Sequence, residues 1–253
     1  MKRQMLITTL ALGLVAGFLT AQVLFAGSGN ALRWSTIAVS SGKPGDLGRV
    51  DALQKLNRSK ECLDYVDVSG AALRDLSLRS ASMSRASLAD CDLFQADFRD
   101  AMLLKTDFTD ASLIGARLDR ATLWQGSIAC ADLFGASLVE TDLGGVDASF
   151  AYLLWADLRG ASLEEADFSG AYLGRAKLGG ARVHGVNFNG ASLMWADLTD
   201  LQGWETIADF TGLNVYEVHN PPAGFVEWAL ERGAVSVPHK EWLAMGEAVE
   251  DSR

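Results

Sequence analysis

From Leu63 to Leu198 every fifth residue is Leu, Phe, Ile, Val or Met, Ala148 excepted, over twenty-eight consecutive positions without a slip. Two residues before each lies a second column that is mostly Ala, from Ala71 through Ala96, Ala131 and Ala161 to Ala196, with Cys91, Thr106, Gly126, Thr141 and Val146 as small substitutes. A polar residue, often Asp or Ser, stands between the columns, as in Ala96-Asp97-Phe98 and Ala161-Ser162-Leu163. A period of five suits neither a helix of about 3.6 residues per turn, around which the column would spiral, nor a strand, along which it would change faces. The chain must turn a corner every five residues. If each quintet forms one side of a square, twenty residues close a coil, with the large and the small apolar residue inside and the other three outside. Stacked at the strand spacing of about 4.8 Å, the quintets make about seven coils and a rod roughly 34 Å long.

The triplets Ala131-Asp132-Leu133, Ala156-Asp157-Leu158 and Ala196-Asp197-Leu198 carry the pattern A-(D/N)-L-x-x, and on them the sequence resembles the pentapeptide-repeat family over residues 61–200 of 253. The resemblance implies an all-β solenoid, a right-handed quadrilateral β-helix. It implies no particular activity, because fold and function are separable. The flanks, Gly48 to Asn57 and Asn220 to Leu230, resemble end segments of bacterial membrane-anchored members.

An open β-helix leaves apolar columns and unpaired backbone at each end, which invites association unless covered. Asp46 to Asn57 reads as a short amphipathic helix with Leu47, Val50, Leu53 and Leu56 on one side, a lid for the first coil. After Leu198 the register ends. Trp204 to Phe210 and Phe225 to Arg232 read as two short helices, the second bounded by Pro222 and Gly233, which cap the far end or fold back along it.

Charge divides the chain. Within a net −10, residues 1–60 hold eight Lys/Arg against two Asp/Glu, whereas residues 61–253 hold fourteen against thirty. In the basic lead, Met5 to Ala26 is almost wholly apolar, with Thr8, Thr9, Thr20 and Gln22 as its polar side chains. At ~1.5 Å per residue it spans about 33 Å, against a bilayer core of roughly 30 Å. A cleaved signal peptide is the competing reading, but its apolar region is ~7–15 residues long, and the exit at Ala26-Gly27-Ser28 is weak. The expected organisation is therefore a basic N-terminus over 1–4, a transmembrane signal anchor over 5–26 in contact with lipid, a linker and cap helix over 27–60, the repeats over 61–200, and a helical cap and tail over 201–253. Lys2 and Arg3 place the N-terminus in the cytoplasm and the repeats in the periplasm of a single-pass inner-membrane protein, an orientation that Arg33 and Lys43 weaken. Gly13 and Gly17 form a GxxxG pair, which permits helix pairing.

Sorting the outward positions by twenty separates the four sides of the rod. The side that includes residues 111–115, 131–135 and 151–155 carries an apolar ladder of Phe94, Ile114, Phe134, Leu154 and Met194, joined by Tyr152, Trp155, Tyr172 and Trp195. A stripe of this size marks a contact surface. Its candidate occupants are the C-terminal tail, a protein partner, a second copy of the chain, or a membrane surface. The side that includes residues 106–110 and 146–150 carries Asp67, Asp90, Asp107, Asp110, Asp147 and Asp167 with no Lys or Arg. Such a face can imitate duplex DNA, as the resemblance implies for members that inhibit DNA gyrase. It attracts basic surfaces and repels nucleic acid, so no nucleic-acid partner is expected. The family pattern itself places Asp before the core leucine, which makes an acidic side close to the default.

Signals for catalysis and metal binding are poor, and no enzyme activity, cofactor or metal is expected. His184 lies outside one coil and His219 and His239 lie in the tail, none beside a serine or cysteine nucleophile. Cys62, Cys91 and Cys130 fall on three sides and in three coils, too far apart to bridge. Ser41-Gly42-Lys43-Pro44-Gly45 lacks the first glycine of a phosphate loop, with Ile37 in its place, and reads as a turn. The leading expectation is a non-enzymatic, membrane-anchored binding or scaffolding protein that works through the apolar ladder, with DNA mimicry as the alternative.

Overall fold

A computed structural model describes residues 31–40 and 45–250. The residue between the two inward columns pairs in parallel with the residue twenty positions on, in an unbroken series from Ala72 with Asp92 to Arg182 with Gln202. Each coil is tied to the next by backbone hydrogen bonds such as Leu93 N to Ser112 O at 2.8 Å and Asp92 N back to Ala71 O at 2.9 Å. Both inward columns are buried, as at Leu133, Ala136, Leu138 and Phe168, all at 0% exposure. Polar members of the small-residue column satisfy themselves in one geometry, donating to the carbonyl twenty-three residues back: Thr106 Oγ1 to Met83 O, Thr141 Oγ1 to Leu118 O and Cys91 Sγ to Val68 O.

Corners are closed by a carbonyl-to-amide bond across four residues, as from Ala96 N to Leu93 O at 2.9 Å, with the third residue left-handed. Every fifth residue from Tyr65 to Asp200 has positive φ, and only nine of these are Gly, such as Gly115 and Gly135. Left-handed backbone costs a non-glycine residue roughly 1–2 kcal/mol. It persists because pairing on both neighbouring coils over-determines each corner.

At the N-terminal end, helix α1 (Ala31–Ser40) packs on helix α2 (Arg49–Arg58). Ala52, Leu53 and Leu56 of α2 are buried, as the lid reading anticipates for Leu53 and Leu56, whereas Val50 is half-buried and Leu47 is exposed and lies ahead of the helix with φ 49°. The apolar side of the helix is completed instead by Arg49, which is fully buried and donates to the carbonyls of Gly45 and Asp46. Gly45 itself pairs with Ala71, so the lead adds backbone as well as a lid to the first coil.

At the other end the coiling outlasts the register. Asn187 pairs with Asp209, Ser192 with Asn214 and Asp197 with His219, an offset of twenty-two. The two extra residues are taken up near the 3-10 turn Trp204–Thr206, which replaces the helix expected over Trp204 to Phe210. Phe210, Leu213 and Val215 then return to the core. Helix α3 (Phe225–Leu230) closes the last coil with Phe225 and Ala229 buried, and Trp228 meets Trp204 and Phe210 edge-on at 5.2 and 4.5 Å. Helix α4 (His239–Glu250) ends the described chain.

The single-pass membrane assignment requires correction. Among the described residues no helix is long and apolar enough to cross a membrane. The expected span 5–26 lies outside the described residues.

Candidate functional site: the aromatic ladder

The ladder column divides into three stretches. Near the start Arg74 is exposed, stacks on Phe94 at 4.2 Å and pairs with Asp92 at 3.1 Å, while Phe94 and Ile114 are half-buried. In the middle Phe134, Tyr152 and Trp155 are about half exposed, at 49, 47 and 52%, beside a half-buried Leu154. Toward the end the ladder is covered. Met194, expected on the outside, is 4% exposed, and the next place on its column belongs to Tyr216 in the extra coil. Tyr172 and Trp195 are half-buried.

Ring contacts bind the stretches together. Tyr152 and Tyr172 lie parallel, 5.0 Å apart with 4° between planes, and Trp242 of α4 meets the far side of the pair through an edge contact with Tyr172 at 5.8 Å. The tail therefore reaches the ladder at Tyr172 but leaves Phe134, Tyr152 and Trp155 open. Sequence reasoning missed two members. Arg175 sits between the Trp155 and Trp195 rings, at 4.9 and 5.0 Å, as the middle of a corner column spaced by twenty. Phe150, 59% exposed at the neighbouring corner, lies flat on Gly170, where a β-carbon would come within 2.6 Å of its ring. Arg175 lies twenty residues from both Trp155 and Trp195, and Phe150 stands one corner before Trp155, so the corner positions carried both. Trp195 is further fixed by its Nε1–H donating to Glu217 Oε2 at 2.7 Å.

The acidic side has a local explanation. Asp107, Asp147 and Asp167 each accept the backbone N–H two residues on, at 2.9, 3.0 and 2.9 Å, and Asp67 accepts both the amide and the hydroxyl of Ser69. These are self-capping turns of the kind Asp forms readily. Asp90 and Asp110 occupy left-handed corners, a conformation that Asp tolerates better than most residues. Elsewhere Asp97 is gripped by Arg99, with Nη2 at 2.5 Å, and the hydrogen bond from that guanidinium holds its carboxyl below the usual range against the opposing effect of burial.

The histidines stay apart. His184 Nδ1 lies 2.7 Å from Thr206 Oγ1 and His239 tilts against Trp242. The three cysteines are free, with Cys91 buried and Cys130 exposed. Among the described residues no group of three His, Cys, Asp or Glu side chains could hold a metal.

Comparison with known families matches pentapeptide repeats in eight copies, over residues 62–100, 86–125, 128–165 and 166–200, more than half of the chain. The chain belongs to the pentapeptide repeat family. Pentapeptide repeat proteins form right-handed β-helical solenoids, with which pairing at an offset of twenty agrees, and are generally non-enzymatic structural or binding proteins. Among solved structures of pentapeptide repeat proteins, the chain is similar to HetL, involved in heterocyst differentiation regulation in the cyanobacterium Nostoc sp. strain PCC 7120, at 26% identity over 61% of this chain and 72% of that one, with a TM-score of 0.31. It is also similar to trypsin-treated QnrB1, a plasmid-mediated fluoroquinolone resistance protein, at 17% identity over 70 and 86% with a TM-score of 0.45. A third is Rfr23 from the cyanobacterium Cyanothece 51142, at 26% identity over 38 and 58% with a TM-score of 0.22. Curated proteins give no match.

Proposed function

We propose that this pentapeptide repeat protein is a non-enzymatic binding module that holds a protein partner on the middle of its aromatic ladder. The observation that carries the reading is the contiguous exposure of Phe134, Tyr152 and Trp155 on adjoining coils, between half-buried Phe94 and Ile114 on one side and the covered end of the ladder at Met194 on the other. Half-exposed rings grouped in this way are typical of contact surfaces. Aromatic residues and arginine are the usual anchors at the centre of an interface, and Arg175 stands stacked beside this group. Tyr152 is stacked on Tyr172 and Trp155 on Arg175, so these two rings lose little side-chain entropy on binding. DNA mimicry has no observation of its own in its favour, because the aspartates of the acidic side serve the turns that carry them.

A photo-crosslinking residue in place of Phe134 in the full chain tests the reading. Capture of a discrete partner, lost when Trp155 is replaced by Ala, is the expected result. Crosslinks confined to residues 239–250 of the same chain would overturn it, and a crosslinked dimer would make the partner a second copy.

A further inference from the structure

On the side of the rod opposite the ladder, residues 121–125, 141–145, 161–165 and 181–185 stack into a wall whose outward column reads Trp124, Gly144, Glu164, His184. Gly144 leaves a gap in that column. Trp124 leans into it, so that a β-carbon on Gly144 would lie 2.8 Å from the indole Cδ1. Two corner side chains lean the same way over glycines of the following coil. A β-carbon on Gly160 would lie 3.4 Å from Glu140 Cγ, and one on Gly185 3.5 Å from Glu165 Cγ. Missing side chains and leaning ones together open a groove of about 590 Å³.

Its chemistry is one-sided. Four carboxylates line it, those of Glu140, Asp142, Glu164 and Glu165, against a single cation, Arg182. Arg182 is engaged with Glu164 at 2.9 Å, so its charge is matched within the wall. Glu140, Asp142 and Glu165 form no ion pair among the described residues, and the Trp124 indole, 45% exposed, carries no cation on its face. At the floor lies Ser162, only 7% exposed, on the paired column between Asp142 and Arg182. Its hydroxyl has no hydrogen-bond partner in the protein among the described residues and is open to the groove rather than sealed beneath it. Asp142 also accepts the N–H of Gly144 at 3.0 Å and Glu140 lies in the field of Arg120, but an aromatic face, three carboxylates outside any ion pair and an open hydroxyl in one groove describe a receptor for a cation that has an apolar stem and N–H donors.

We propose that this groove binds a primary alkylammonium group, its methylene stem against Trp124, its charge among Glu140, Asp142 and Glu165, and one N–H on Ser162 Oγ. The group has two natural sources, a free polyamine and a lysine side chain of a protein.

Calorimetric titration of the full chain at low salt with spermidine, and separately with a blocked peptide containing one lysine, tests the assignment. Saturation at one site is expected with at least one probe. Tighter binding of spermidine would identify the source as a polyamine, and tighter binding of the peptide, abolished by acetylating its lysine, would identify a protein lysine. Trp124→Ala is expected to weaken binding about two- to fivefold. Glu140→Gln with Glu165→Gln is expected to weaken it about three- to tenfold. Both variants alter exposed side chains, so unchanged melting temperatures establish that they fold. The control carries Asp107→Asn, Asp110→Asn and Asp147→Asn on the acidic side and is expected to bind as the parent does. Absence of one-site saturation with either probe, or a control that loses as much as the groove variants, would overturn the proposal in favour of diffuse attraction to an acidic rod.

Discussion

The indole of Trp242 meets the ring of Tyr172 edge-on, with centroids 5.8 Å apart, and so ties the last helix to the aromatic ladder seventy residues earlier. A second tie runs from Trp242 Nε1 to Gly212 O at 3.3 Å. Leu243 and Met245 of the same helix are exposed, so Trp242 holds α4 with little help from those neighbours. Trp242→Ala is expected to free α4 while leaving the coils intact. An edge-to-face pair contributes about 0.5–1.5 kcal/mol beyond its area. Limited trypsin digestion should cut after Lys240 faster in the variant, with an unchanged coil fragment.

Gly170 has both a left-handed backbone, at φ 65°, and the Phe150 ring lying on it. Gly170→Ala is expected to cost about 1–3 kcal/mol from strain and displacement of the ring. Adding Phe150→Ala should recover the part due to the ring and leave the backbone part. A double-mutant cycle in urea measures the split, and additive effects would contradict the packing described.

Inside and outside aromatics should behave oppositely. Phe168 is fully buried against Phe188, 5.8 Å away, so Phe168→Ala is expected to cost about 3–5 kcal/mol through the cavity it leaves. Phe134→Ala, on the open ladder, should change stability by less than about 0.5 kcal/mol. Denaturant midpoints with equal slopes would establish both values.

Acid sensitivity follows from Asp97. Its folded pKa is depressed, chiefly by the hydrogen bond from Arg99, so its contribution is complete above the ordinary carboxylate pKa of about 4 and is lost as pH falls through the lower folded value. Asp97→Asn should therefore cost stability at pH 7 and lose less on acidification than the parent. Unfolding curves between about pH 6 and pH 2 provide the measurement.

The three thiols should react in order of exposure. Cys91 is 1% exposed, and burial, partly offset by nearby amides and Arg49, pushes its pKa up to about 11. A thiol reagent at pH 8 is expected to label Cys130 first, Cys62 more slowly and Cys91 only on unfolding, because the thiolate is the reacting form.

The core was legible because an inward column repeats along one dimension and any slip would expose Leu or Phe. The corners were not, since Gly marks left-handed backbone plainly at positions such as Gly115 and Gly135, whereas Arg85, Trp155 and their like adopt it only because neighbouring coils compel them. The extra coil escaped for a different reason. Ala208-Asp209-Phe210 repeats the family triplet two residues out of phase, and a search held to one register passes over it. Met194 was misplaced with it, since the coil that covers it was not foreseen. Ladder members Phe134, Tyr152 and Trp155 could be read directly, because their outward positions in the quintet are not covered by the tail or the extra coil. Trp124 could not, as the groove beneath it arises from absent side chains at Gly144 and Gly160, and the sorting recorded only those present.

As far as Gln202, pairing at an offset of twenty turns residue number into a compass bearing. Removing one whole coil upstream would shorten the rod and leave each later side chain facing the direction it faces now. Removing a single quintet between Phe134 and Trp155 would swing everything after it through a quarter turn, carrying Trp155 away from Phe134 while the core closed as before. In this molecule insertions and deletions therefore come in two kinds, one that alters length and one that alters aim, and evolution can adjust either without the other.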